Sequence, residues 1–256
     1  MRSQRTTGLS PEQFIEPRER VVTVIGEWRK PVGRRRALSL SQALKATVMY
    51  LKNNLTEEVI AELLHVSQPT ISRVIADLEK VIADALEEFV PDLAREAAGR
   101  VTVVDGSLCP CWSWDDAPDL WSGKHKTTGH NHQFVSDLAG TLLHISDPLP
   151  GRTHDAKAMR DSGIEEVIEA SNSLGDKGYL GTGVVTPFRK PAGEELVEWQ
   201  IEFNTTINKM RWVIEQAIAN FKTWRTMHSD YRRPRDTYAA AFRAVRSLHF
   251  FKLSFE

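Results

Sequence analysis

The sequence predicts a mixed α/β sheet with helices packed on it, preceded by an all-α segment. Three observations predict it. Up to about residue 98, apolar positions recur at helical spacing behind capping residues. From residue 99, short apolar and β-branched runs alternate with longer helical stretches. The chain has 256 residues, enough for a large domain with a smaller one beside it. The expected division is a helical domain over 1–98 and an α/β domain over 99–256.

The elements follow in order. In "LSPEQF" Ser10 is an N-cap and Pro11 the first helical residue. "LSLSQALKATVMYLKN" places Leu40, Leu44, Val48 and Leu51 at helical spacing after the basic connector "KPVGRRRALS". "LTEEVIAELLHV" starts at a Thr56 cap with acids in its first turn. After a break at Val66-Ser67, a long helix runs to near Pro91. "RVTVVDG" reads as a strand, and "NHQFVSDLAGTLLHISDPL" as two strands around a turn at Ala139-Gly140. "HDAKAMRDSGIEEVIEAS" reads as helix and "SLGD" as a short strand ending at Asp176. "GVVTPFRKP" reads as a further strand, and "TTINKMRWVIEQAIANFKTWRT" as a long helix.

The net charge of −1 excludes a global basic field, so a nucleic-acid partner must be recognised through local clusters. No apolar run is long enough to span a bilayer, and the N-terminus lacks the apolar core of a signal peptide. A cytoplasmic protein without membrane contact is expected. The two cysteines, Cys109 and Cys111, fit reduced, inert thiols there.

Residues 55–80 carry a helix-turn-helix pattern. Ile60, Leu63, Leu64, Ile71, Val74 and Ile75 would form the core between two short helices. The second helix opens with Ser67, Gln68, Thr70, Ser72 and Arg73, side chains able to reach base edges and phosphates. That opening resembles the recognition helix of many bacterial helix-turn-helix proteins. A plain helical hairpin is the alternative. Arg34, Arg35 and Arg36 just upstream suit either phosphate contact or a solvated linker.

In the second half, Asp105 interrupts an apolar strand in "VVDGSL". Asp is a poor strand residue, so Asp105 either opens a turn or is held for metal. Metal-assisted phosphoryl chemistry needs several carboxylates converging from distant positions. Asp176 stands at a strand end, where open α/β sheets keep their sites, with a turn role as the alternative. Glu215 lies 39 positions later on a helix, on one stripe with Asn208, Arg211 and Lys222. A surface ion-pair stripe is the competing reading there.

Together "VVDGSL", "LGDKGYLG" and "RWVIEQAIANFKTWR" resemble the DDE transposases of bacterial insertion sequences. The kinship is with the insertion-sequence-five group and its Harbinger-like relatives. Arg211, Glu215 and Lys222 match that family's Arg, three residues, Glu, six residues, Lys signature, and "DPLPGRTHDAKAM" and "TPFRKP" resemble further family segments. The pattern departs at Asn208, where related families have Tyr. The resemblance implies an RNase H-like fold, with Asp105, Asp176 and Glu215 as catalytic metal ligands for two divalent ions, Mg²⁺ or Mn²⁺. It implies double-stranded DNA as partner, both as transposon terminal inverted repeats and as target, with Arg211 and Lys222 on phosphates. Cleavage at transposon ends would be followed by strand transfer, by a homodimer acting at the nucleoid. A metal-dependent endonuclease without strand transfer and a non-catalytic DNA-binding derivative are the alternatives.

His154 and Asp155 precede a helix; Asp155 suits an N-cap, and the resemblance places the pair at the active-site periphery. "GKHKTTGHNHQ" reads as a DNA-facing edge. Arg232, Arg233 and Arg235 suit a phosphate patch or a solvated loop.

Overall fold

The computed structural model describes residues 2–29 and 35–255. The chain forms two compact units, residues 1–90 with 223–256 and residues 91–222. They do not follow a single cut at residue 98, because the last 34 residues pack into the helical unit.

The helical unit begins with α1 (Arg2–Thr7), α2 (Pro11–Ile25), α3 (Leu40–Asn53), α4 (Glu57–Leu63) and α5 (Gln68–Ala85). Ser10 and Gln13 close a capping box on α2, and Ser39 and Gln42 close one on α3. Thr56 accepts from the Val59 amide to start α4. The turn between α4 and α5 is made by His65 at φ 54°, a conformation few non-glycine residues adopt. Ile60, Ile71, Ile75, Leu78 and Ile82 are fully buried along the α4–α5 pair.

The second unit opens with α6 (Leu93–Ala97) and continues with β1 (Thr102–Pro110), β2 (Trp121–Ser122), β3 (Thr127–Asp137), β4 (Leu142–Ile145) and β5 (Leu149–Pro150). Then come α7 (Asp155–Asp161), α8 (Ile164–Val167), β6 (Ser173–Leu174) and α9 (Glu198–Phe221). β3 pairs antiparallel with β1 from Thr102↔Asp137 to Pro110↔Gly129, and also carries β2, β4 and β5. β6 pairs parallel to β1 at Thr102↔Ser173 and Val103↔Leu174, which makes the sheet mixed. Alternation along the strands gives the sheet two apolar faces. Val104 and Val135 join a core with Met159, Ile164 and Tyr179. Phe134 meets Phe221 of α9 edge to face at 5.5 Å on the other side.

The chain then returns to the helical unit, where α10 (Tyr238–Leu253) lies against α5. This helix goes beyond the expected element order. Four expectations differ from the structure. "GVVTPFRKP" forms one isolated bridge at Val185, since Pro187 and Pro191 remove ladder donors. The helix from Asp155 is broken at Gly163, whose φ of 74° ends the first segment. The long helix begins at Glu198, seven residues before Thr205. Arg233 is neither a solvated nor a phosphate-facing residue. It is buried and gives two 2.7 Å contacts to Glu79, because Glu79 would otherwise be an unpaired charge inside the bundle. Among the described residues no helix is long and apolar enough to cross a membrane.

Candidate active site

Asp105 lies inside β1, as the fourth residue of the strand, so it is not a turn residue. The short β6 pairs only with Thr102 and Val103, leaving the Asp105 end of β1 open on that edge. Asp105 sits opposite Phe134, on the face covered by α9, and Arg211 of α9 approaches its carboxylate at 3.6 Å. Gly106 turns the other way, toward α7. A side chain there is impossible without movement, since its Cβ would stand 2.7 Å from Asp155 Oδ1 and 2.9 Å from Gln133 Nε2.

Asp176 follows β6 and accepts from the Gly178 amide at 2.7 Å. A Cβ on Gly178 would stand 2.8 Å from Asp176 Oδ1 and 2.5 Å from Asp155 Oδ2. Asp155 therefore threads between the two glycines and lies beside both sequence-derived acids. It is not the N-cap of α7. That position belongs to His154, whose side chain makes no cap bond. Burial pushes the Asp105 carboxyl up to about 6; Arg211 opposes this, while Asp176 and Asp155 add to it. Lys124 answers from the β2–β3 turn, with Nζ 3.1 Å from Asp155 Oδ2. Burial lowers the pKa of Lys124, but Asp155, Asp176 and Asp105 together outweigh it and the net direction is upward.

Glu215 comes from the opposite element of the site, α9. It is exposed on α9, on the stripe whose neighbours reach β1: Arg211 toward Asp105, and Lys222 Nζ onto the Leu108 carbonyl at 2.9 Å. Arg211 keeps a buried Nε with no hydrogen-bond partner among the described residues, a spare donor beside the acids. A cavity of about 340 Å³ adjoins the acids, lined among others by Lys124, His125, Arg152, His154 and Asp155.

Sequence reasoning missed the polar layer beneath the site. "GHNHQ" belongs mostly to the buried part of β3 and is not a DNA-facing edge. Asn131 Nδ2 donates to the Thr153 carbonyl at 2.9 Å, which fixes the loop before Asp155. Tyr179 Oη donates to Gln133 Oε1 at 2.6 Å, and Gln133 Nε2 to Asn131 Oδ1 at 3.1 Å. The signal available was the strand alternation continuing backwards from Phe134.

The donor set fits a hard divalent cation: carboxylate oxygens only, on acids that repel one another, with two glycines keeping the space open. Among the described residues no three His, Cys, Asp or Glu side chains form a ready-made metal group.

In the helical unit, Ser67 and Arg73 are exposed at the start of α5, with Thr70 and Ser72 half-buried. Ser67 and Thr70 hydroxyls lie 3.0 Å apart. Gln68 turns inward onto Glu57 of α4. A hollow of about 650 Å³ borders this helix, lined by Arg35, Arg36, Ser67, Thr70 and Arg73 among others. Arg36 stacks 3.7 Å above Trp28 and pairs with Asp77 at 2.9 Å; Arg34 lies outside the described residues.

Residues 104–249 match the DDE superfamily endonuclease family, and residues 36–88 match the helix-turn-helix of DDE superfamily endonucleases. The chain is 30% identical to "Putative transposase for insertion sequence element IS112" of Streptomyces albus G, over 95% of this chain and 91% of that protein. It is 22% identical to "Probable transposase for insertion sequence element IS702" of Microchaete diplosiphon, over 98% and 94%. It is 25% identical to "Putative nuclease HARBI1" of Homo sapiens, over 87% of this chain and 66% of that protein. No solved structure matches. The chain belongs to the DDE superfamily endonucleases, with a transposase-type helix-turn-helix before an RNase H-like mixed α/β domain. Members of this superfamily use divalent metal ions.

Proposed function

We propose that this protein is an insertion-sequence transposase that cuts DNA at its element's terminal inverted repeats and joins the freed 3′ end to target DNA. The observation that carries the reading is the crowding of Asp155 and Asp176 at Gly178, close enough to Asp105 that both acids add to the burial that pushes its carboxyl up to about 6. Asp105 and Asp176 hold Mg²⁺ or Mn²⁺, with Glu215 as the third catalytic acid from the α9 stripe. When bound, two divalent ions supply Lewis-acid activation of the attacking oxygen and charge neutralisation on the leaving oxygen. Arg211 neutralises Asp105 and offers its spare donor to a phosphate. Lys222 anchors α9 to β1 next to the DNA path. His154 and Arg152 line the cavity that receives the anionic strand. Each chemical step is an in-line displacement at phosphorus: water attacks and a 3′-oxygen leaves as the 3′-hydroxyl, which then attacks a target phosphate and displaces the target strand's own 3′-oxygen.

Ser67, Thr70, Ser72 and Arg73 face double-stranded DNA from α5, while Gln68 supports them through Glu57. Two ends must be cut together, so a homodimer on nucleoid DNA is the working form. A second reading, cleavage without joining, has support from the relative named as a nuclease.

The test is cleavage and strand transfer on the element's own ends with Mg²⁺ or Mn²⁺, and with chelator added. Asp105→Asn, Asp176→Asn and Glu215→Gln should each lower cleavage by about 10³-fold or more with end binding kept. Full activity in any variant removes that residue from the site. Cleavage without joined product selects the endonuclease reading.

A further inference from the structure

Lys124 has no part in the proposed chemistry, yet it is placed with some care. It sits on the β2–β3 turn and reaches inward to Asp155 Oδ2 at 3.1 Å. The Lys124 side chain is 59% exposed and that of Asp155 only 12%. A flexible, mostly solvated ammonium thus covers a buried carboxylate, and Asp176 and Asp105 also draw on its charge. Asp155 is the first residue of α7, one position past its N-cap. Its carboxylate fills the space that a Cβ on Gly106 or Gly178 would take.

The cations near the three acids differ in kind. Arg211 is held on a helix, with its side chain 12% exposed. Lys124 hangs from a turn by four rotatable carbons and forms a half-exposed pair, a class of contact that is weak and easily exchanged. Beside it the cavity of Lys124, His125, Arg152 and His154 offers an anion somewhere to sit.

We propose that Lys124 is the exchangeable counter-ion of Asp155: it rests on that carboxylate until a divalent ion takes Asp155 as a further ligand, and then turns to a DNA phosphate in the adjoining cavity. This rests on Asp105 and Asp176 being the ion-holding pair. The exchange makes ion entry and strand binding one event. Until an ion arrives the acids keep a cation; once it does, the released ammonium adds to the attraction for the strand.

Mn²⁺ binding to the full chain, without DNA, tests this through the loss of the free-ion paramagnetic signal. Lys124→Met should bind Mn²⁺ about threefold to tenfold tighter than the parent, the worth of one half-exposed ion pair. Lys124→Arg should stay near the parent, and Asp155→Asn should bind more weakly. With Mn²⁺ present, Lys124→Met should bind element ends more weakly, with the salt slope reduced by about 1. Unchanged or weaker Mn²⁺ binding in Lys124→Met overturns the exchange, and so does a failure of both parent and variant to bind Mn²⁺. Asp105→Asn separates the two ideas. If it binds Mn²⁺ like the parent, the ion site itself is misplaced; if it loses binding while Lys124→Met gains nothing, only the exchange fails.

Discussion

Glu79 in the helical unit and Asp105 in the sheet unit are both carboxylates taken out of water, and burial pushes both up. The chain treats them differently. Glu79, 1% exposed, receives two 2.7 Å contacts from one nitrogen of Arg233, and Tyr50 and Tyr231 close the surroundings. Asp105, 17% exposed, has a 3.6 Å approach from Arg211, the Gly106 amide at 2.9 Å, and two further acids for neighbours. A buried charge that is fully answered is part of the fold. One that is half answered and crowded by like charges costs stability, and its retention points to a partner that arrives later.

The sharpest way to break this comparison is to remove one partner from each. Arg233→Met leaves Glu79 buried and unpaired, and should cost the helical unit about 3–5 kcal/mol. Chemical denaturation of parent and variant checks it. Asp105→Asn relieves repulsion, so it should leave stability unchanged or raise it by about 1 kcal/mol while cleavage is lost. Equal destabilisation by the two substitutions would erase the distinction between a structural acid and a functional one.

The glycines come next. Gly178→Ala forces a Cβ to within 2.5 Å of Asp155 and 2.8 Å of Asp176, so the acids must part. A displacement of about 1 Å at a reacting centre costs about 10²-fold in rate. Cleavage in Gly178→Ala should fall by that order, with DNA binding by the helical unit intact. The nearby Gly181→Ala, where nothing stands within 4 Å, is the control for turn strain at its φ of 89°.

A pH experiment addresses the helical unit alone. Burial lowers His249 from 6.5 to about 3, and Lys252 and Lys52 add to it. The unfolded chain then binds more protons than the fold between those values, so stability falls as pH drops from 6.5 toward 3. By pH 5 the loss is about 2 kcal/mol. His249→Phe should show a correspondingly smaller difference in unfolding free energy between pH 7.5 and pH 5. Comparing parent with variant cancels the other titrating groups, Glu79 among them.

How far these features could be read from the sequence depended on whether the signal was local. Caps are local, and Ser10 and Thr56 were legible as such. β1 and the apolar spacing of α3 and α5 carry their period in their own residues. Asp155 was legible only through the family resemblance, as active-site periphery; its place beside Gly106 and Gly178 was not, because it lies 50 positions from Asp105 and no local pattern joins them. Arg233 was hidden for a similar reason. In "YRRPR" it looks like any solvated arginine, and its partner Glu79 is 154 positions away on α5. The strand expected at "GVVTPFRKP" is reduced to one bridge because Pro187 and Pro191 follow its β-branched residues and bring no ladder donors.

The smallest effect concerns Lys222, which the family signature assigns to DNA and which in the fold donates to the Leu108 carbonyl at 2.9 Å. The two roles give different outcomes. As an anchor between α9 and β1, Lys222→Met should cost the sheet unit about 1–2 kcal/mol, the range of one charge-assisted hydrogen bond, and leave the salt dependence of DNA binding unchanged. As a phosphate contact, the same change should leave stability near the parent and reduce the salt slope by about 1. The 2.9 Å bond favours the first outcome, because an ammonium already held by a buried strand must give up that bond before it can reach a phosphate.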